Sequence, residues 1–183
     1  MLNIGCGGRK ISCAVNADIN KFVRPDIVCN LNDGLPFKDG TFDTVVASQI
    51  LEHLGDTEFV MAEIWRVLKH GGKVVISCTF AGHPASFQND HIRFFRPRDF
   101  TLYNGTTSST LKCRFRIVSV RHTHGYTFKL FPLWLAGIFM EKLLNSSKRI
   151  ETVDKYACHV AHFLPMKEFV VIMKKELLKR SFK

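Results

Sequence analysis

The sequence predicts an α/β fold built on a doubly wound, mostly parallel sheet, and three observations indicate it. A short apolar strand at residues 1–4 runs directly into the glycine-rich stretch G-C-G-G at residues 5–8. Further short apolar segments follow, separated by turns and by one amphipathic helix pattern. The continuous apolar run at residues 45–47 is typical of a strand that is buried on both faces.

Composition favours one compact domain over residues 1–183, because the chain is 46% hydrophobic and contains 16 phenylalanines. The formal charge of +10 favours anionic partners such as phosphate, nucleic acid or an anionic membrane surface, or serves solubility alone. The six cysteines are scattered, without a C-x-x-C pair. This pattern predicts reduced thiols in a cytoplasmic protein and argues against a disulfide framework or a zinc site.

The first half of the predicted sheet has abbreviated crossovers. The second strand is expected at residues 15–18. Only about ten residues, 8–17, lie between the first strand and Asp18 at the end of the second, and a full crossover helix needs more. The next link, residues 19–26, is also short and contains Arg24-Pro25, so we expect a turn. The third strand is expected to end at residues 29–31. We therefore expect a thinly covered half-sheet, which a protein partner or a second copy could cover.

The next part of the chain follows an alternating strand and helix pattern. A fourth strand is expected at residues 44–47 and a helix at residues 56–70, with Asp56 or Thr57 as its cap and Gly71 as its C-terminal stop. The apolar segment Val74-Val75-Ile76 predicts a fifth strand at residues 73–77.

The last third of the chain is less regular. Residues 79–98 lack a clear period, which is typical of a functional loop. Residues 112–121 alternate and predict a strand with one solvated face that carries Lys112, Arg114 and Arg116. Residues 128–144 predict a strongly apolar helix, residues 169–174 the last strand, and residues 174–183 a basic tail. The longest apolar run, residues 130–140, is too short to cross a bilayer, and the N-terminal core strand leaves no room for a signal peptide.

Four motifs give the chain a family resemblance: N-I-G-C-G at residues 3–7, L-P-F-x-D-x-x-F-D at residues 35–43, L-E-H at residues 51–53 and R-V-L-K-x-G-G at residues 66–72. The series resembles the class I S-adenosylmethionine-dependent methyltransferases, in particular the small single-domain, type 11-like members. The resemblance implies an enzyme with a Rossmann-like, seven-stranded sheet whose antiparallel last strand lies beside the fifth. It also implies a cofactor-binding half at residues 1–78 and a substrate-side half at residues 79–183.

The resemblance also implies how S-adenosylmethionine is held. The backbone of the glycine loop binds its methionine end, and the Asp18 carboxylate accepts hydrogen bonds from both ribose hydroxyls. A turn-forming role for Asp18 ahead of Asn20 is the alternative. Asn30, where these enzymes usually have Asp, accepts from the adenine amino group through its side-chain carbonyl. The full expected set is Asn3, Gly5, Cys6, Gly7, Asp18, Asn30, Leu31, Ser48 and Gln49.

Catalytic candidates are fewer, because the methyl donor is already activated and a base is needed only for a protonated acceptor. We predict His91 as the strongest candidate, Asp90 and His53 as the next two, and His83 as a further one. His91 opens the stretch H-x-R-x-F-x-P-x-x-F, which resembles a segment after the fifth strand of these enzymes. Glu52 is expected to organise the turn that follows. No spacing of His, Cys and Asp resembles a metal site, so we predict none.

The acceptor is left open by the sequence. The leading interpretation is a cytoplasmic enzyme that methylates a small-molecule, glycan or lipid-linked acceptor. One alternative is RNA methylation, because Arg93, Arg96 and Arg98 and the stripe of residues 112–116 could neutralise phosphates. A second is a degenerate cofactor-binding scaffold or regulatory subunit. The helix at residues 128–144 is either a substrate lid or a peripheral membrane contact.

Overall fold

A seven-stranded sheet organises the computed structural model, which describes residues 1–104, 113–124 and 166–176. The strand order is β3-β2-β1-β4-β5-β7-β6. Strands β1 to β5 pair in parallel, and β7 lies antiparallel between β5 and β6. This confirms the predicted fold class, including the antiparallel last strand beside the fifth. The strands are β1 Leu2–Ile4, β2 Val15–Asp18, β3 Ile27–Val28, β4 Phe42–Ser48, β5 Leu68–Thr79, β6 Phe115–His124 and β7 Met166–Lys175.

The β3 side of the sheet is thinly covered, as predicted. Within residues 1–50 the only helices are the short 3-10 helices Lys21–Val23 and Leu31–Asp33. Phe22 is 83% exposed and Val28 is 58% exposed at this edge. The third strand ends at Val28, earlier than predicted, because the Asn30 side chain caps the second 3-10 helix and turns the chain out of the sheet. A partner that covers this edge stays a prediction.

The α-helix α1, Thr57–Val67, lies against the sheet and begins as predicted. The Asp56 carboxylate accepts from Phe59 N at 2.9 Å, which satisfies a free amide of the first turn. The predicted end of this helix at residue 70 was wrong. Leu68 is fully buried and pairs with Phe42 of β4, so the chain turns into β5 directly after Val67, and Gly71 lies within β5.

The basic tail was predicted to begin at residue 174, but Lys174 and Lys175 belong to β7. Lys175 is only 8% exposed. Its Nζ donates to Leu68 O at 2.6 Å and lies 4.1 Å from the centre of the Trp65 ring. Burial lowers the pKa of Lys175. This strand end is therefore packed against helix α1.

The alternating strand has the predicted solvated face. Cys113 and Phe115 are buried, whereas Arg116 on the opposite face is exposed. Arg114 and Arg116 both pair with Glu176, with Nε to carboxylate distances of 3.4 and 3.2 Å. Arg114 and Arg116 of the proposed phosphate-binding stripe therefore share one carboxylate within the protein, and Lys112 lies outside the described residues.

Several expectations concern the remainder of the chain. The predicted apolar helix at residues 128–144 lies outside the described residues. None of the helices in the described ranges has the length and hydrophobicity that crossing a bilayer requires. The five described cysteines, 6, 13, 29, 78 and 113, are all free. The division of residues 1–183 into a cofactor half and a substrate half stays a prediction.

A partly buried ion pair connects helix α1 to the loop before β4. Glu63 accepts from Leu35 N at 2.8 Å, and both of its carboxylate oxygens accept from Arg66 at 2.7 Å. Arg66 also donates to the carbonyls of Leu35 and Phe37. The Arg66 hydrogen bonds hold the pKa of Glu63 below its ordinary value of 4.5.

We expect Glu63→Gln to lower the free energy of unfolding at neutral pH by roughly 1–3 kcal/mol, because hydrogen bonds to the charged carboxylate are lost. The folded state depresses the pKa of Glu63, so this stability is present above the ordinary pKa and is lost as pH falls through the folded value. The difference between variant and wild type should therefore shrink in acid. Urea denaturation at neutral pH and below pH 4.5 measures it. Asp43→Asn, which breaks an exposed pair with Lys69, is the control and should change little.

Candidate active site

A cavity of about 190 Å³ lies beyond the carboxyl ends of β1 and β2. This is the position at which open α/β sheets bind ligands. Its walls come from the glycine loop, the end of β2, the loop after β3 and the loop after β4. The lining residues are Gly5, Asp18, Ile19, Cys29, Asn30, Leu31, Asn32, Ile50, His53 and Leu54.

The glycine loop requires glycine at two positions. Gly5 has φ +60°, and a Cβ placed there would lie 2.4 Å from Cγ1 of Ile50. Gly7 has φ +47°, with no atom within 4 Å of such a Cβ. The chain therefore makes a left-handed turn that presents backbone to the cavity, as predicted from the G-C-G-G pattern.

Asp18 closes this loop. Its Oδ2 accepts from Gly7 N at 2.7 Å, and its Oδ1 accepts from Asn20 N at 2.8 Å. The turn-forming contact with Asn20, considered as the alternative role, is thus present together with a contact to the glycine loop. Each carboxylate oxygen can accept a second hydrogen bond, so the side chain still offers acceptors to a ligand in the cavity.

Asn30 lines the cavity, but its carbonyl is engaged differently from the prediction. Oδ1 accepts from Asn32 N at 3.1 Å and from Asn32 Nδ2 at 3.3 Å, which caps the 3-10 helix Leu31–Asp33. The Nδ2 group is therefore the part of Asn30 that is left to bind a ligand, as a donor. Leu31 is buried and supplies an apolar wall.

Two thiols belong to this region. Burial, assisted by the Asp18 charge, raises the pKa of both Cys6 and Cys29. Both are therefore protonated at neutral pH and are poor nucleophiles. Cys6 is 4% exposed and its backbone N donates to Ala17 O at 3.2 Å. It fastens the loop to β2 and does not line the cavity.

Asn3 is buried below the loop and is absent from the cavity wall. Its Nδ2 donates to Arg9 O at 3.1 Å and to Asn16 Oδ1 at 3.0 Å. Asn16 in turn bonds the backbone at Ile11 and the Asp26 carboxylate. These contacts give Asn3 a supporting position, and direct contact with the cofactor stays a prediction.

Ser48 and Gln49 also lie outside the cavity wall. Ser48 Oγ is 2.8 Å from Ser77 Oγ, and Gln49 Oε1 accepts from Thr79 Oγ1 at 2.8 Å. Gln49 has φ +52°, a left-handed conformation that is uncommon for a residue with a side chain. These hydrogen bonds join the ends of β4 and β5 and orient the loop that follows β4.

Sequence reasoning missed part of the wall. Ile19, Cys29 and Asn32 each directly follow or flank a predicted contact, so adjacency to a strand end could have indicated them. Ile50 and Leu54 also directly follow predicted residues, Gln49 and His53. Their positions depend on the turn at Gln49 and on the 3-10 helix Leu51–His53.

The three catalytic candidates converge beside the cavity. His53 Nδ1 lies 3.0 Å from Asp90 O, and the rings of His53 and His91 are 4.8 Å apart in an edge-to-face arrangement. His53 also lines the cavity. His83 stands apart, because its Nδ1 accepts from Ala85 N at 3.0 Å as the cap of a 3-10 helix, and burial lowers its pKa.

The loop that carries Asp90 and His91 is fastened to the loop after β4. Glu52 is 2% exposed, and its backbone carbonyl accepts from Ile92 N at 2.9 Å and Arg93 N at 3.2 Å. Arg93 donates through Nε to Leu54 O at 3.1 Å and through Nη2 to Gly55 O. The Glu52 backbone therefore holds this loop in place, and the predicted role of Glu52 in the turn that follows it, or in contact with the substrate, stays a prediction. Arg93 is engaged with carbonyls, which corrects its expected contact with phosphate.

Comparison with known proteins gives consistent similarities. Residues 12–76 match the family model described as "Methyltransferase domain". A demethylmenaquinone methyltransferase of Streptomyces griseus is 55% identical over 47 residues, which are 26% of this chain and 20% of the relative. The chain thus spans about a fifth of the length of that curated relative.

Solved structures share the fold at low identity. A SAM-dependent methyltransferase from Archaeoglobus fulgidus has a TM-score of 0.55 and 16% identity, with 95% of this chain and 85% of that chain covered. A candidate methyltransferase of Haloferax volcanii, solved in complex with the Trm112 methyltransferase activator, has a TM-score of 0.61 and 15% identity, with 96% and 82% covered. Residues 12–76 are therefore similar in sequence to a methyltransferase domain, and the fold of the chain is the one that these solved methyltransferase structures share.

Proposed function

We propose that the protein binds S-adenosylmethionine in the cavity at Asp18 and transfers its methyl group to an acceptor. The observation that carries the proposal is the joint geometry of Gly5, Gly7 and Asp18. A left-handed glycine turn and a carboxylate share one cavity at the carboxyl ends of β1 and β2. This combination supports a ligand with one end that approaches backbone and one end with paired hydroxyls.

The roles of the residues follow from their contacts. The Asp18 carboxylate accepts from the ribose hydroxyls, the Asn30 amide faces the adenine, and Leu31 and Ile19 form its apolar walls. The backbone at Gly5 and Gly7 receives the methionine end. Asn3, Cys6, Ser48 and Gln49 support these residues through the hydrogen bonds described above.

The reaction is an in-line displacement. The acceptor atom forms a bond to the methyl carbon as the carbon–sulfur bond breaks, and the electron pair stays on sulfur, which becomes a neutral thioether. The protein's task is to hold the acceptor at attack distance and to exclude water. A hydroxyl acceptor must also lose its proton. His53 is suited to take it, because its Nδ1 faces a carbonyl, which only accepts, so the lone pair lies on Nε2.

For the acceptor we propose a small or lipid-linked molecule, with a reduced quinone as the first one to test. The support is the identity to the demethylmenaquinone methyltransferase over 47 residues. The intramolecular pairing of Arg93, Arg114 and Arg116 leaves little support for an RNA acceptor.

Calorimetric titration with S-adenosylmethionine and S-adenosylhomocysteine tests the donor site. We expect binding of both, with one ligand per chain. A second assay follows labelled methyl transfer from S-adenosylmethionine to a reduced naphthoquinone. A folded protein that binds neither donor nor product would contradict the enzyme proposal and favour a scaffold without catalysis.

A further inference from the structure

The three catalytic candidates His53, Asp90 and His91 form a cluster that no metal-ligand spacing in the sequence indicates. Each residue offers one ligand atom, and these three atoms lie within 4.8 Å of one another. His53 lies 37 positions before Asp90 in the chain, and His91 directly follows Asp90. The prediction of no metal site rested on this lack of a local spacing.

The cluster is held in place before any ligand binds. Five hydrogen bonds join the loop after β4 to the loop after β5, from His53, Ile92 and Arg93. They hold the backbone at Ile92 and Arg93, directly after His91, against the loop after β4. The third group, the Asp90 carboxylate, lies 3.6 Å from His53 Nδ1, and its side chain is 71% exposed, so it has room to rotate toward Nε2.

The polar atoms of the cluster are available for a ligand. His91 Nδ1 is buried and has no hydrogen-bond partner among the described residues, which is an uncommon and costly state for a ring nitrogen. The His53 ring carries its proton on Nδ1, which faces Asp90 O, so Nε2 has a lone pair. A hydrogen bond of this kind from one ring nitrogen to a carbonyl commonly orients a metal-binding histidine.

We propose that His53, Asp90 and His91 bind a divalent transition-metal ion, with Zn²⁺ as the probe, beside the methyl-donor cavity. Two imidazoles and one carboxylate are a common ligand set for such ions and leave coordination positions open. Neighbouring ligands of a tetrahedral ion lie about 3.4 Å apart at bond lengths near 2.1 Å. Closing the cluster from 4.8 Å therefore requires side-chain movements of about 1.4 Å.

The role of the ion rests on the proposed methyl transfer. An oxygen of the acceptor takes an open position, and the positive charge favours release of its proton to solvent. With the ion bound, the Nε2 lone pair of His53 is used as a ligand, so the ion replaces His53 as the group that makes the acceptor nucleophilic. This assigns the acceptor to compounds with an ionisable oxygen at or near the methylated atom.

The test is a metal titration of the full chain after treatment with a chelator, in the absence of S-adenosylmethionine. Calorimetry with Zn²⁺ should show one ion per chain. His91→Ala and Asp90→Asn should each weaken binding by at least roughly tenfold. His70→Ala, which changes an exposed histidine outside the cluster, is the matched control and should bind like wild type. Circular dichroism verifies that each variant is folded.

Co²⁺ identifies the ligands by their absorption spectrum. Nitrogen and oxygen ligands give visible bands without the near-ultraviolet thiolate band. A thiolate band, or equal Zn²⁺ affinity in wild type and His91→Ala, would overturn the proposal, because the ion would then bind elsewhere. S-adenosylmethionine titration of the same proteins tests the donor cavity separately, so failure of the metal site and failure of the proposed function are distinguishable.

Discussion

Asp18→Ala is expected to lower the affinity for S-adenosylmethionine by roughly 100-fold or more. Two hydrogen bonds from ribose hydroxyls to a charged acceptor are removed, each of which contributes roughly 1.5–3 kcal/mol. The bond from Gly7 N is lost as well, so the glycine loop is less well held. Calorimetric titration of the purified variant measures the change.

Two further variants make this result specific. Asp18→Asn keeps one oxygen acceptor, and we expect an intermediate loss of about tenfold. Asp33→Ala removes an exposed carboxylate from the neighbouring 3-10 helix, outside the cavity wall, and should bind like wild type. Unchanged affinity in a folded Asp18→Ala protein would show that the ribose contact is assigned to the wrong residue.

Gly5→Ala is expected to have the second large effect, on both stability and binding. The new Cβ would meet Cγ1 of Ile50 at 2.4 Å while the backbone stays at φ +60°. We expect a loss of at least about 2 kcal/mol in the free energy of unfolding, because left-handed backbone alone costs roughly 1–2 kcal/mol for a residue with Cβ. Thermal and urea denaturation measure it, followed by donor titration.

Variants of the neighbouring glycines separate the effect of backbone strain from that of the clash with Ile50. Gly7→Ala adds strain without a clash, so about 1 kcal/mol is expected, and Gly8→Ala adds neither and should change little. In Gly5→Ala/Ile50→Ala the clash is relieved and only the strain stays. If Gly5→Ala were as stable as Gly8→Ala, the left-handed turn would not be the conformation in solution.

Local chemistry explains why much of the wall of the cavity at Asp18 was predictable. Gly5 and Gly7 follow a strand, and Asp18 ends the next one, so parallel pairing of β1 and β2 brings them to the same edge. The short crossovers were predictable for the same reason, since a stretch of ten residues that contains turn signals has no room for a full helix. Asp56 as the cap of α1 follows from its own side-chain chemistry.

Other predictions failed where a distant contact competes with a local signal. Gly71 resembles a helix stop, but burial of Leu68 against β4 ends α1 earlier. Lys175 resembles part of a solvated tail, but the Trp65 ring and the Leu68 carbonyl hold it in β7. Charge and turn propensity do not report such partners.

By itself the sequence determined the class of fold, the thinly covered side of the sheet, and the placement of Gly5 and Asp18 in one cavity. Each of these depends on strand ends and short connections. Only the tertiary structure decided that Ile50 packs on Gly5 and that His53 meets Asp90 and His91. Those contacts depend on how the loops after β4 and β5 cross in space. Their path is set by hydrogen bonds between backbones far apart in the chain, which no local pattern of residues records.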